Sequence, residues 1–233
     1  MQAADVQHTS HATQAKTMLA IRIHAYGGPE VMRLEEIPMP VLRAGQALIR
    51  IHAASVNFLD VQKRRGELGG QSFYHRKGAA EPDLPTILGS QGVGVVEAIG
   101  PEVSNVAVGD RVSFAGESYA SHALVPAVRL IRIPEGISFE QAAAGMNQGF
   151  LAYAFTHFAY PVKAGDWCLI QAAAGGLGLL LCQMAKIRGG RVVGVISTAE
   201  KAGSPKKRAR TLSSSPHSPT SRRKRGKSRR TKV

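Results

Sequence analysis

Cysteine is scarce: Cys168 and Cys182 are the only two in 233 residues. That excludes a disulfide framework and a cysteine-built zinc site. Both fall in apolar sequence and read as small buried hydrophobes of a reducing, cytoplasmic compartment. Long apolar runs are missing too. None nears the roughly 18 residues that cross a bilayer, so no membrane contact is expected. Residues 1–17 lack the apolar centre of a secretory signal. With Asp5, Lys16 and no Arg, they also lack the composition of a mitochondrial presequence. They are expected to form a disordered extension.

Aspartate and glutamate are absent from residues 201–233, where 13 of the 30 Lys and Arg residues lie. The remainder keeps 17 basic residues beside all 16 acidic ones, a net charge of +1. The formal +14 therefore belongs to a tail and does not mark the body as a nucleic-acid-binding domain. Ser, Pro, Lys and Arg dominate that tail, too little apolar material to offset the entropy of folding, so disorder is expected. Lys206-Lys-Arg208 and Arg222-Arg-Lys-Arg225 are either solvated charge or a contact for polyanions, including a nuclear-import address.

What is present is organised around residues 165–186. Trp167 to Ile170 suits a buried strand, a small-residue run follows to Gly178, and an apolar helical pattern comes after it. Strand, glycine-rich turn, helix is the setting of a dinucleotide-binding turn. Gly175 would let the backbone approach a pyrophosphate, Gly178 would let helix and strand pack closely, and the helix N-terminus would hold phosphates. Ala173 occupies the first glycine position of the usual G-x-G-x-x-G pattern, so the turn alone leaves cofactor binding and mere tight packing both open.

Upstream, Leu19 to His24 reads as a strand ended by Tyr26-Gly-Gly-Pro29. Gln46 to Ala54 alternates, with Ala47, Ile49, Ile51 and Ala53 on one face and Arg50 and His52 on the other. Asn57 to Arg65 reads as a short helix capped by Ser55 or Asn57, and residues 66–85 as a long surface loop. Residues 92–96, 106–114, 120–125 and 128–133 read as further strands of a small barrel-like β domain. Ser138-Phe-Glu-Gln141 has the capping-box pattern that opens a helix, which runs to about Phe158. Arg191 to Ile196 is a second buried strand, giving one right-handed βαβ unit with parallel strands.

Together these segments resemble the zinc-free NADPH:quinone oxidoreductase (zeta-crystallin-like) branch of the medium-chain dehydrogenase/reductases. The likeness covers about residues 18–201. It is carried by Ile21-Arg-Ile-His-Ala-Tyr-Gly-Gly-Pro-Glu30, Ser55-Val-Asn-Phe-Leu-Asp60, Val108-Gly-Asp-Arg-Val112, Gln148-Gly149, Pro161-Val-Lys-Ala-Gly-Asp166 and the turn at residues 172–178. The resemblance implies a GroES-like β domain followed by a Rossmann domain, an α/β plus β fold, with the active site in the cleft between them. Its expected division is residues 18–140 for the β domain, 141–200 for a partial Rossmann domain and 201–233 for the tail.

Zinc-dependent relatives carry Cys and Gly-His-Glu where this chain has Ser55-Val-Asn57 and Gly89-Ser-Gln91, so no metal is implied. Gln62 and Leu68 stand where the quinone reductases commonly have tyrosines, and Leu151 where a Thr often lies near the nicotinamide. Asn57 and Gln148 match as polar groups of the active-site cleft. Asn57, or a water, would stabilise negative charge on the reduced acceptor; its alternative role is a helix cap. The implied activity is NADPH-dependent reduction of a small quinone or enone, and the complete family member would be a homodimer.

An NAD site places a carboxylate at the tip of the second strand, about 20 residues past the glycines. Here the tip is Ser197-Thr198, and Glu200 comes later. Ser197, Thr198 and Lys201 suit a 2′-phosphate, while Ala174, Gly175, Gly176, Leu177 and Gly178 would take the pyrophosphate. Only the first βαβ of a Rossmann domain is legible. The chain is therefore expected to be a C-terminally truncated family member with impaired activity, or a non-catalytic remnant.

Overall fold

The computed structural model describes residues 16–67, 83–198 and 212–214. It divides into two compact units, Met1–Ala143 and Ala144–Val233.

The first unit is built on antiparallel strands. β1 (Thr17–Ile23) lies between β2 (Arg33–Pro38) and β4 (Thr86–Ile87). A five-stranded sheet centres on β3 (Gln46–Ala54) and β5 (Gln91–Ile99). β7 (His122–Pro126) flanks β3, while β6 (Arg111–Ala115) and then β8 (Ile131–Arg132) extend from β5. β1 is tied to the segment that leads into β7 by Ile21 N–H donating to Tyr119 O at 2.7 Å and Ser121 N–H to Leu19 O at 2.8 Å.

The period-two pattern of β3 has the expected result. Ala47 and Ile49 are fully buried and join Val96, Val112, Phe114 and Val125 in the core, with Ile51 packed on its margin; Arg50 and His52 face outward. β3 and β5 shift register between Leu48 and Ile49 and again between Ile51 and Ala53. At this irregularity Gly94 of β5 lies against the Arg50 carbonyl so closely that any Cβ would be driven into it.

Two expected strands are shorter than their sequence pattern. Residues 106–110 form a turn, with Gly109 at φ +93° and Ala107 N–H donating to Asp110 Oδ2 at 2.9 Å. Ala127–Arg129 is a 3-10 turn, leaving only Ile131–Arg132 as strand. In both places turn hydrogen bonds outweigh the β preference of the valines.

α1 (Phe58–Arg65) follows β3, and α2 (Phe139–Ala154) follows β8, with the division between the units falling inside α2. The capping box is formed: Gln141 N–H donates to Ser138 Oγ at 3.1 Å and Ser138 N–H to Gln141 Oε1 at 2.9 Å. A π turn, Phe155–Ala159, continues from α2.

In the second unit, β9 (Trp167–Ile170), α3 (Gly176–Ile187) and β10 (Arg191–Val195) form the expected βαβ, and β9 and β10 pair in parallel. Ile170, Cys182, Ala185, Val192 and Ile196 make its core; Cys182 is buried, Cys168 is half-buried, and neither is in a disulfide. β9 departs from the expectation of a buried strand, since Trp167 is 62% and Leu169 67% exposed. β9 is an edge strand whose alternate residues, Cys168 and Ile170, face the α3 core, so the other two point away from it.

The tail also departs from uniform disorder: β11 (Leu212–Ser214) pairs in parallel with β10, whose open edge offers backbone partners. Residues 1–15, Leu68, the basic clusters and most of the 66–85 loop lie outside the described residues. Among the described residues no helix is long and apolar enough to cross a membrane.

Substituting Gly94→Ala is expected to destabilise the β unit by about 1–3 kcal/mol, the range for overpacking. Gly145→Ala in α2, where a Cβ meets nothing within 4 Å, should instead stabilise by about 0.5–1 kcal/mol. Urea unfolding of the two variants checks both signs.

Candidate functional site

The turn from β9 into α3 is held by one carbonyl. Ala172 has φ +48°, a left-handed conformation uncommon for a residue with a Cβ. Its carbonyl accepts the Gly175 N–H at 2.8 Å and lies directly against Gly178. A Cβ on Gly178 would collide with that oxygen and stand 2.8 Å from the Ala173 Cα, both backbone atoms unable to yield. Ala173 N–H donates to Val195 O at 2.9 Å and fastens the turn to the end of β10.

The first helical bond runs from Leu179 N–H to Gly175 O at 2.9 Å. Helix geometry therefore leaves the N–H groups of Gly176, Leu177 and Gly178 without intrahelical partners, at the positive end of the helix. At the turn that precedes them opens a groove of about 370 Å³, lined by residues that include Ala172, Ala174, Gly175, Val195 and Ser197, with no carboxylate among the described lining residues. Gln148 is half-buried, and its Cγ stands 3.8 Å from where a Cβ of Gly176 would be. Gln148, Ala174 to Gly178 and Ser197 thus share one unit and one neighbourhood. Thr198 is exposed just past the groove, while Glu200 and Lys201 lie outside the described residues.

Asn57 belongs to the β unit, where it caps α1. Its backbone N–H donates to Asp60 Oδ2 at 2.7 Å, and its two amide hydrogens go to Ser55 Oγ at 2.9 Å and Ser90 Oγ at 3.0 Å. Ser55 in turn donates to Gln91 Oε1 at 3.1 Å. Tyr119 donates its phenol to Asp60 Oδ2 at 2.9 Å. Burial first, and then the bond and charge of Asp60, push the Tyr119 phenol well above its ordinary value. On the next turn of α1, burial lowers the Lys63 ammonium despite the charges of Glu117 and Asp60; Lys63 Nζ donates to Ile87 O at 2.8 Å.

Ser90, Gln91, Asp60, Tyr119 and Ala172 carry this geometry, and sequence reading assigned none of them a role. Ser55-Val-Asn57 and Gly89-Ser-Gln91 were legible as the segments standing where zinc relatives have ligands. That they meet each other was not, because 33 residues separate Asn57 from Ser90.

Residues 43–135 match the alcohol dehydrogenase GroES-like domain. The chain is 40% identical over 194 residues to the quinone oxidoreductase of Pongo abelii, covering 81% of this chain and 56% of that protein. It is 37% identical over 186 residues to the quinone oxidoreductase of Pseudomonas aeruginosa, covering 78% and 54%. Among solved structures it superposes on the Escherichia coli quinone oxidoreductase complexed with NADPH with a TM-score of 0.73 at 33% identity, covering 84% of this chain and 57% of that one. The chain thus spans about half the length of the curated relatives it matches.

Tyr119→Phe is expected to cost on the order of 1 kcal/mol at neutral pH, because the half-buried bond to Asp60 is partly screened by water. The folded-state phenol is raised above its unfolded value of 10.0, so its contribution is complete below that pH. As pH rises further, the unfolded phenol ionises first and the wild-type protein loses this advantage. Urea midpoints of the two proteins should accordingly converge in alkaline solution; a constant gap would show that Tyr119 is not held as described.

Proposed function

We propose that this chain, which belongs to the zinc-free quinone oxidoreductase branch of the medium-chain dehydrogenase/reductases, binds NADPH at the β9–α3 turn and directs its hydride to a small quinone or enone. The observation that carries the reading is the turn itself. Gly175 and Gly176 present bare backbone, three N–H groups open the helix, and no carboxylate stands among the described residues that line the adjoining groove. The residues present therefore fit a dinucleotide.

In this reading Ala174 to Gly178 hold the pyrophosphate, and Gln148, packed beside Gly176, contributes a polar group on the nicotinamide side. Ser197, Thr198 and Lys201 take the 2′-phosphate that distinguishes NADPH from NADH. NADPH supplies the hydride; the protein's part is to bind, to orient and to stabilise charge. Asn57 stands for the acceptor side, as a polar group of the β unit. A cytoplasmic location is part of the reading, supported by two cysteines outside any disulfide, which a reducing compartment would keep as thiols.

Fluorescence titration of the full chain should show NADPH binding in preference to NADH. Lys201→Ala should reduce that preference about tenfold or more, the loss expected for one charge-assisted bond. NADPH consumption with a simple quinone then tests activity. Absence of NADPH binding, or equal affinity for NADH, would overturn the assignment of cofactor.

A further inference from the structure

Asn57 is the residue that resemblance places beside the acceptor, yet its amide is already engaged. Both Nδ2 hydrogens are donated, one to Ser55 Oγ at 2.9 Å and one to Ser90 Oγ at 3.0 Å. An amide nitrogen has two hydrogens, so Asn57 has no further side-chain hydrogen for a ligand oxygen while these bonds last.

The two serines differ in what they have left. Ser55 passes its own hydrogen to Gln91 Oε1 at 3.1 Å, and its N–H is held by Gln91 O at 3.2 Å. Gln91 is only 2% exposed, so Ser55 is anchored to a buried partner and its one hydroxyl hydrogen is spent. Ser90 accepts the Asn57 hydrogen, and among the described residues its hydroxyl donates to no one. Its backbone is fixed by Gly116 N–H donating to Ser90 O at 2.9 Å. A hydroxyl that accepts a bond becomes a better donor, because the chain of dipoles is aligned. The chain Asn57 to Ser90 therefore ends in one directed O–H on a half-buried residue. Val56 and Phe58, on either side of Asn57 in the chain, are 84% and 71% exposed and offer apolar surface for a flat ring.

We propose that the Ser90 hydroxyl, rather than the Asn57 amide, is the catalytic residue that donates to the oxygen of the acceptor, and that Asn57 is a positioning residue for it. The proposal rests on the quinone reductase reading above. The acceptor takes up a hydride, two electrons with one hydrogen. The C–H bond of the reduced nicotinamide breaks, the nicotinamide is oxidised, and the quinone becomes a hydroquinone monoanion. Its charge sits on an oxygen until a proton arrives from water. Ser90 O–H stabilises that oxygen and keeps its own proton.

The test uses the anion of hydroxynaphthoquinone, a coloured stand-in for the monoanion, titrated into the full chain with NADP+ present; unsubstituted naphthoquinone is the neutral control. Ser90→Ala should weaken the anion about ten- to hundredfold, as expected for one bond to a charged oxygen. It should leave NADPH and the neutral quinone within about twofold, because neither places a charged oxygen there. Ser90→Thr, which keeps the hydroxyl, should restore the anion affinity, and circular dichroism would show that Ser90→Ala is folded. Unchanged anion binding in Ser90→Ala, with Asn57→Ala carrying the whole loss, would return the donor role to Asn57 and overturn the proposal. A wild-type chain that binds NADPH but not the anion would also overturn it and leave the cofactor reading standing. Failure to bind NADPH at all would remove the reading and the proposal together.

Discussion

The second unit depends on the Ala172 carbonyl oxygen. It accepts the Gly175 N–H and stands where a Cβ of Gly178 would have to go, so it sets how close α3 can come to the end of β9. From that approach follow the tight turn, the three N–H groups that open α3 and the groove beside them. The left-handed backbone of Ala172 is unfavourable by roughly 1–2 kcal/mol for a residue with a Cβ. The neighbouring bonds of Ala173 to Val195 and of Leu179 to Gly175 over-determine the conformation and hold it.

The β unit solves a different problem with hydrogen bonds. Where zinc-dependent relatives gather metal ligands, Ser55, Asn57, Ser90 and Gln91 form a branched chain of neutral donors and acceptors. Asp60 supports it from below by holding the Asn57 backbone and the Tyr119 phenol. Neutral groups of this kind orient one another in a half-buried site without the desolvation cost of an unpaired charge.

Much of this was legible because its cause is local. Alternation in Gln46 to Ala54 placed Ala47 and Ile49 in the core, and Ser138 with Gln141 announced α2. The glycines at 175, 176 and 178 announced a strand–turn–helix. What escaped depends on partners far along the chain. The apolar letters of β9 suggested burial, but burial belongs to a strand's position in the sheet, and β9 lies at an edge. Val106 and Val108 suggested strand, yet Gly109 and Asp110 close a turn there. Asn57 could be named from its motif. The commitment of its amide hydrogens became visible only when Ser90 was brought alongside by the pairing of β3 with β5.

Edge position has one more consequence. Trp167 is the only tryptophan in the chain. It stands on β9, largely exposed, with the Arg191 guanidinium 5.5 Å from its ring centre. All indole emission from this protein therefore originates in the unit that carries the glycine-rich β9–α3 turn, and the β unit is silent at that wavelength. Loosening of β9 from β10 would separate Trp167 from Arg191 and alter the emission. The molecule thus carries an intrinsic optical reporter seated on its second unit.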